Sequence, residues 1–289
     1  MNDDSARLRT EHLRRRFDRA ASTFDTADYV HRVTCDGLLE RMDPIIVKPR
    51  LILDLGSATG AGSRVLARRF RKSRVVSLDI SAGMLRASAE KKPMFSRIRE
   101  VRGDARQLPL QAGSVDMVFA NMILPWVDDL PSCFAEIGRV LRKGGLFTFA
   151  TLGTGSAIEL RESWETFDER PHLHRFPDMH DLGDALMRSG LGDPVLDVDR
   201  LVVKFPGLAE LERDLDACGG RNCLQARRQT LTGKNRYRAM QQRFLALGDG
   251  AAVPLELELV YGHAWGRGQH SDPSEYRIDA ESIGRFMRP

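Results

Sequence analysis

Four polar residues stand where short apolar runs give out: Asp54 after Leu51-Ile-Leu, Asp79 after Val75-Val-Ser-Leu, Asp104 just past Val101-Arg102-Gly103, and Asn121 after Met117-Val-Phe-Ala. A buried strand that ends on a polar group offers it at the rim of a sheet, where ligands of open α/β folds gather. Between the first two acids lies a glycine-rich turn, Gly56-Ser57-Ala58-Thr59-Gly60-Ala61-Gly62. Its glycines permit positive φ and close backbone approach, and the helix that follows opens with unpaired N–H groups. Such turns hold nucleotides and nucleotide-like cofactors. Asp79 follows at the interval expected of an acceptor for ribose hydroxyls. Asp104 reads in two ways, as an acceptor for an adenine amino group or as a turn acid capping its own backbone.

The chemistry narrows at Asp54. A carboxylate two residues before the first glycine repels a pyrophosphate but suits a cofactor bearing an ammonium and a sulfonium. That cofactor is S-adenosyl-L-methionine, and the expected binding set is Asp54, Gly56, Ser57, Gly60, Asp79, Ile80, Met84, Asp104, Ala105 and Asn121. The turn resembles the first motif of the Rossmann-like class I methyltransferases. In that motif a middle glycine is usual where this chain has Ala58, which implies weaker cofactor binding.

These residues need a scaffold of alternating strands and helices. The pattern predicts strands at 50–55, 74–79, 97–102, 114–120 and 145–151, with helices near 62–71, 81–91 and 130–141. That alternation makes a mostly parallel sheet covered on both faces, α/β in class and seven-stranded once two later strands near 195–205 and 254–265 are added. An arginine-rich amphipathic stretch over residues 5–24 reads either as a solvated helix face or as a flap over the cofactor site. A second helix runs from Asp28 to Met42, with Val30, Val33, Leu38 and Leu39 as its apolar stripe. Residues 155–170 and 179–189 read as helices, and 207–247 as two or three inserted helices. The expected organisation is an N-terminal flap over 1–45, a methyltransferase domain over 46–266 with a helical insertion at about 207–250, and a polar tail over 267–289.

Composition sets outer bounds. The 289 residues are 42% hydrophobic and 29% charged, with a net charge of +4, ordinary values for a soluble globular protein. No apolar run reaches a bilayer-spanning length and the N-terminus is charged, so neither a membrane partner nor a secretory signal is expected. Four scattered cysteines without a C-x-x-C pair fit reduced thiols in a cytoplasmic protein and no metal site.

Beyond the cofactor motif, the chain from Arg15 to Trp265 resembles the malonyl-acyl-carrier-protein O-methyltransferases of biotin synthesis. The stretches that carry this are Phe17-Asp-Arg-Ala-Ala21, Glu159-Leu-Arg161, Asp168-Glu-Arg-Pro-His172, Arg175-Phe176, Leu231-Thr-Gly-Lys234 and Val260-Tyr-Gly-His-Ala-Trp265. The resemblance implies methylation of a free malonyl carboxylate on an acyl carrier protein, an early step toward a pimeloyl chain. Phe24 and Pro125 stand where that family usually has tyrosine and glutamine.

A malonyl carboxylate is ionised at neutral pH, so its methylation needs alignment and exclusion of water, with no strong base. Arg175 is the expected carboxylate anchor, either gripping the acceptor or pairing with Asp178 or Glu169 to close its loop. His172 and His174 are expected beside it, and Trp126 either walls the acyl pocket or packs in the core. The basic insertion (Arg221, Arg227, Arg228, Lys234, Arg236, Arg238, Arg243) suits an acidic carrier. Another small carboxylate or aromatic acceptor, or a catalytically weak partner protein of the same fold, stays open as an alternative. No aromatic stacking platform for nucleic acid is seen.

Overall fold

The computed structural model describes residues 7–268 except Thr166, Asp168 and Glu169. Two helices come first, α1 (Thr10–Ala20) and α2 (Tyr29–Arg41), joined through a 3-10 turn at Phe24–Thr26. The alternating body follows as β1 (Leu51–Leu55), α3 (Ala61–Arg69), β2 (Arg74–Asp79), α4 (Ala82–Lys91), β3 (Ile98–Arg102), β4 (Val115–Asn121), α5 (Leu130–Val140) and β5 (Leu141–Leu152). The chain then adds α6 (Ile158–Glu165), α7 (Met179–Arg188), β6 (Leu191–Phe205), α8 (Leu208–Ala217), α9 (Lys234–Leu245) and β7 (Val253–Gly266).

The seven strands lie in the order β3-β2-β1-β4-β5-β7-β6. β1 to β5 run parallel, and β7 lies antiparallel between β5 and β6. Strand order reverses between β1 and β4, and the crevice at that switch point is where the fold binds ligands. β1 and β4 read as near-continuous apolar runs because helices cover both their faces. One core cluster places Ile52, Phe119 and Tyr261 with α2 and α9, and the other places Leu53, Val118 and Phe149 with α5 and α7.

Most boundaries fall within a residue or two of the expected ones. β5 starts earlier, at Leu141, because a bulge absorbs Lys143-Gly144-Gly145: Val115 pairs with Leu141 and Met117 with Leu146. β6 likewise begins at Leu191, across a bulge at Asp193, whose φ is 49°. The insertion holds two helices, α8 and α9, joined by irregular chain. The first helix is shorter than its periodicity suggests. Leu8 leaves the helical path to pair with Leu224, while the Arg9 N–H donates to the Cys223 carbonyl and the Gln225 N–H to Arg7. The tail beyond 268 lies outside the described residues.

Candidate active site

The glycine turn is held from below. Gly56 and Ser57 both donate backbone N–H to the Leu78 carbonyl at the end of β2, and Gly60 donates to Ser57. Gly56 and Gly60 take φ of 72° and 77°, as the turn requires. Ala58 also sits in the left-handed region, at 46°, where its Cβ is unfavourable. Its N–H donates to Asp79 Oδ2 at 3.0 Å, and Ser81 N–H donates to Asp79 Oδ1 at 2.8 Å.

Asp54 sits at the end of β1, 2% exposed, and accepts from the Ser63 hydroxyl at 2.6 Å. Burial pushes its carboxyl up to about 7, against the pull of Ser63. Burial likewise lifts Asp79 to about 6, opposed by its backbone donors. Asp54 therefore already occupies the start of α3, and the turn's Gly56, Ser57, Ala58 and Gly60 N–H groups are spent inside the protein. No donors among these four remain for a pyrophosphate. The pair of buried acids beside an open turn instead fits a cofactor with a ribose and a cationic methionyl part.

Two cavities meet over the turn. The first is walled by Asp79, Ile80, Met84, Asp104, Ala105 and Trp126, among others; the second, about 270 Å³, reaches Asp54, Ser57, Arg32, Arg64 and Arg68. Phe24, His31, Gly56, Ala58 and Asn121 line both and form the neck between them. Nine of the ten expected cofactor residues thus converge on this space. The exception is Gly60, which lines neither cavity; its bare Cα lets the turn pack against Ser88 of α4. Asp104 is in the wall, but its two oxygens are already clasped by Arg106, through Nε at 3.0 Å and Nη2 at 2.7 Å. Arg106 also bonds Asp128 at 3.0 Å. The side-chain bonds from Arg106 hold the Asp104 carboxyl below its ordinary range.

The expected acceptor-side residues are divided. Trp126 lines the first cavity, edge-on to Phe17 at 5.3 Å and to His174 at 4.8 Å. Arg175 and His172 line neither cavity: Arg175 is exposed, and His172 stacks flat on Trp164 with centroids 3.7 Å apart. Arg175, the expected carboxylate anchor, thus stands outside the walls of these two cavities. His174 is a structural link. Its Nε2 accepts from the Cys223 N–H at 3.2 Å, which places the proton on Nδ1, 3.2 Å from the Pro125 carbonyl. It ties the loop after β4 to the insertion.

The flap belongs to the site. Phe17, Leu13 and Phe24 wall the first cavity. Asp18 closes the flap onto α4 by accepting from the Ser81 hydroxyl at 2.7 Å and the Gly83 N–H at 2.8 Å. Asp25 accepts from Thr59 and Lys91. His31, from α2, was not expected at the site; the polar break it makes in an apolar stripe is the one trace in the sequence.

With this geometry in view, the comparisons are decisive. The family profile described as a methyltransferase domain matches residues 53–149. The malonyl-acyl-carrier-protein O-methyltransferase of Gallionella capsiferriformans is 39% identical over 259 residues, covering 88% of this chain and 89% of the relative. The chain belongs to that family. The enzyme of the same name from Laribacter hongkongensis is 39% identical over 261 residues, 88% of each chain. Among solved structures, a methyltransferase bound to the Trm112 activator of Haloferax volcanii superposes with a TM-score of 0.59 at 19% identity. It covers 90% of this chain and 100% of its own, and it shares the class I fold. The family member described here is an S-adenosyl-L-methionine-dependent methyltransferase.

Proposed function

We propose that this enzyme methylates the free carboxylate of a malonyl group carried on an acyl carrier protein, the step that masks the malonyl end on the way to a pimeloyl chain. The cofactor supplies an electrophilic methyl group on a sulfonium. The chain's residues divide the work around it. Asp79, Ile80, Met84 and Ala105 receive the adenosyl part, with Asp104 and Arg106 as a paired wall. Asp54, Gly56, Ser57 and Asn121 receive the methionyl part. Trp126 and Phe17 close the far side with apolar surface that excludes water.

The observation that carries the reading is the absence of an acid–base pair at the neck, among the described residues. Asp54 and Asp79, beside the neck, are held by the glycine turn and its flanking residues, and His31, the one titratable side chain in the neck, has no acid bonded to its Nδ1. Such a site suits an acceptor that arrives already ionised. The arginines of the insertion, with Arg227 near His12 of α1, give an acidic carrier an electrostatic landing surface beside the flap. The test is transfer of labelled methyl from S-adenosyl-L-methionine to malonyl, succinyl and acetyl carrier proteins. Base-labile label on the malonyl carrier in preference to the others is expected. Equal labelling of succinyl carrier, or none on malonyl carrier, overturns the assignment.

A further inference from the structure

The neck between the two cavities is where adenosyl-side and methionyl-side walls meet, so the reacting methyl and the acceptor oxygen belong there. Five residues form it, and their hydrogen-bonding capacity can be accounted for one group at a time. Phe24 has no polar side-chain atom. The Gly56 N–H is spent on Leu78 and the Ala58 N–H on Asp79. Asn121 Nδ2 donates to the backbone carbonyl of His31 at 2.8 Å, which fixes the amide orientation and leaves Oδ1, an acceptor that repels a carboxylate. Asn121 Oδ1 is buried without a partner. The imidazole of His31 and the second Nδ2 hydrogen of Asn121 are then the side-chain donors left at the neck. The Nδ1 of His31 is buried and has no hydrogen-bond partner, and its ring lies 4.9 Å from Phe24 at a tilt of 59°.

We infer that His31 receives the acceptor carboxylate, donating a ring N–H to the oxygen that does not attack, and so selects and aligns the malonyl end. The inference rests on the proposed malonyl acceptor. The other carboxylate oxygen then supplies the electron pair for the new C–O bond, the S–CH3 bond breaks with its pair passing to sulfur, and no proton moves. The charge balance of that step explains why an imidazole fits better than a guanidinium. An anion and a cation annihilate as the ester forms, so an anchor that grips the negative charge strongly stabilises the ground state more than the transition state. Burial depresses His31 to about 4, so at neutral pH it donates a hydrogen bond without adding a charge. This also accounts for Arg175 lying elsewhere.

The test compares the wild-type enzyme with His31→Phe, which keeps a ring, and His31→Gln, which restores a donor, on malonyl carrier protein with S-adenosylhomocysteine affinity measured by calorimetry. His31→Phe should lower kcat/KM for the malonyl carrier by about ten- to a hundredfold with the product affinity unchanged within about twofold, and His31→Gln should recover most of the loss. Unchanged turnover in His31→Phe overturns the inference. An equal loss of S-adenosylhomocysteine affinity also overturns it, because His31 would then be a wall of the cofactor site. A wild-type enzyme that leaves malonyl carrier unmethylated refutes the parent reading instead, so the two failures are distinct.

Discussion

Asp54 and Asp79 are carboxylates that the fold forces out of water, and their titration should be visible in cofactor binding. Their ordinary value is 3.8, and burial raises them to about 7 and about 6 in the folded chain. The native state therefore holds more protons than the unfolded chain between those values. Their contribution to stability is full below pH 3.8 and is lost as pH rises through the folded values. A cationic ligand beside Asp54 favours the ionised form and reverses that shift. S-adenosyl-L-methionine affinity should thus rise from about pH 5.5 to about pH 8 with proton release, read as a binding enthalpy that depends on the buffer. Asp54→Asn should flatten that dependence. A pH-independent affinity in the wild type would mean that neither acid senses the ligand. Ala58 gives a second test. Its left-handed backbone costs about 1 kcal/mol, so Ala58→Gly should raise stability in urea by a few tenths to about 1 kcal/mol after glycine's greater unfolded freedom is counted. Cofactor affinity should rise with it.

At the scale of elements, the flap is held by two acids whose partners are far away in sequence. Asp18 caps α4, through Ser81 and Gly83, and Asp25 joins Thr59 and Lys91. Asp18→Ala should remove about 1 kcal/mol of capping and speed S-adenosylhomocysteine release about fivefold, measured by stopped flow; an unchanged release rate would show that the flap does not gate the cofactor. The sheet and the cofactor turn were legible because each strand-end acid follows its own apolar run, a local pattern. The flap was legible only as one of two alternatives. Its seam with the insertion, Leu8 against Leu224, joins segments more than 200 residues apart in the chain, and no periodicity encodes such a pairing. His31 escaped notice for a related reason. It interrupts the stripe of α2 and lines the neck beside Asn121, a residue ninety positions on that bonds its carbonyl. Arg175 and His172 were chosen by residue type, which suits a carboxylate, but their position after the sheet depends on packing, which sets them outside both cavity walls with His172 stacked on Trp164. Gly60, expected at the cofactor, lines neither cavity, and its positive φ and the nearness of Ser88 both call for glycine there.

Across the whole molecule, charge and closure act together. The flap carries Arg7, Arg9, Arg14 and Arg15, the insertion carries Arg227 and Arg228, and the Leu8–Leu224 bridge joins the two segments beside the first cavity, which Leu8 lines. Reversing Arg227 and Arg228 to glutamate should raise KM for the malonyl carrier about tenfold at low salt, with the difference shrinking as salt is added. A small malonyl thioester should be spared; equal damage to both substrates would remove the docking role. No helix among the described residues is long and apolar enough to cross a membrane. The most direct test of the whole account is the intact mass of malonyl carrier protein after incubation with the enzyme and S-adenosyl-L-methionine. The account predicts the gain of a single methyl group that alkaline hydrolysis removes. A carrier of unchanged mass, from enzyme that binds S-adenosylhomocysteine, would contradict it.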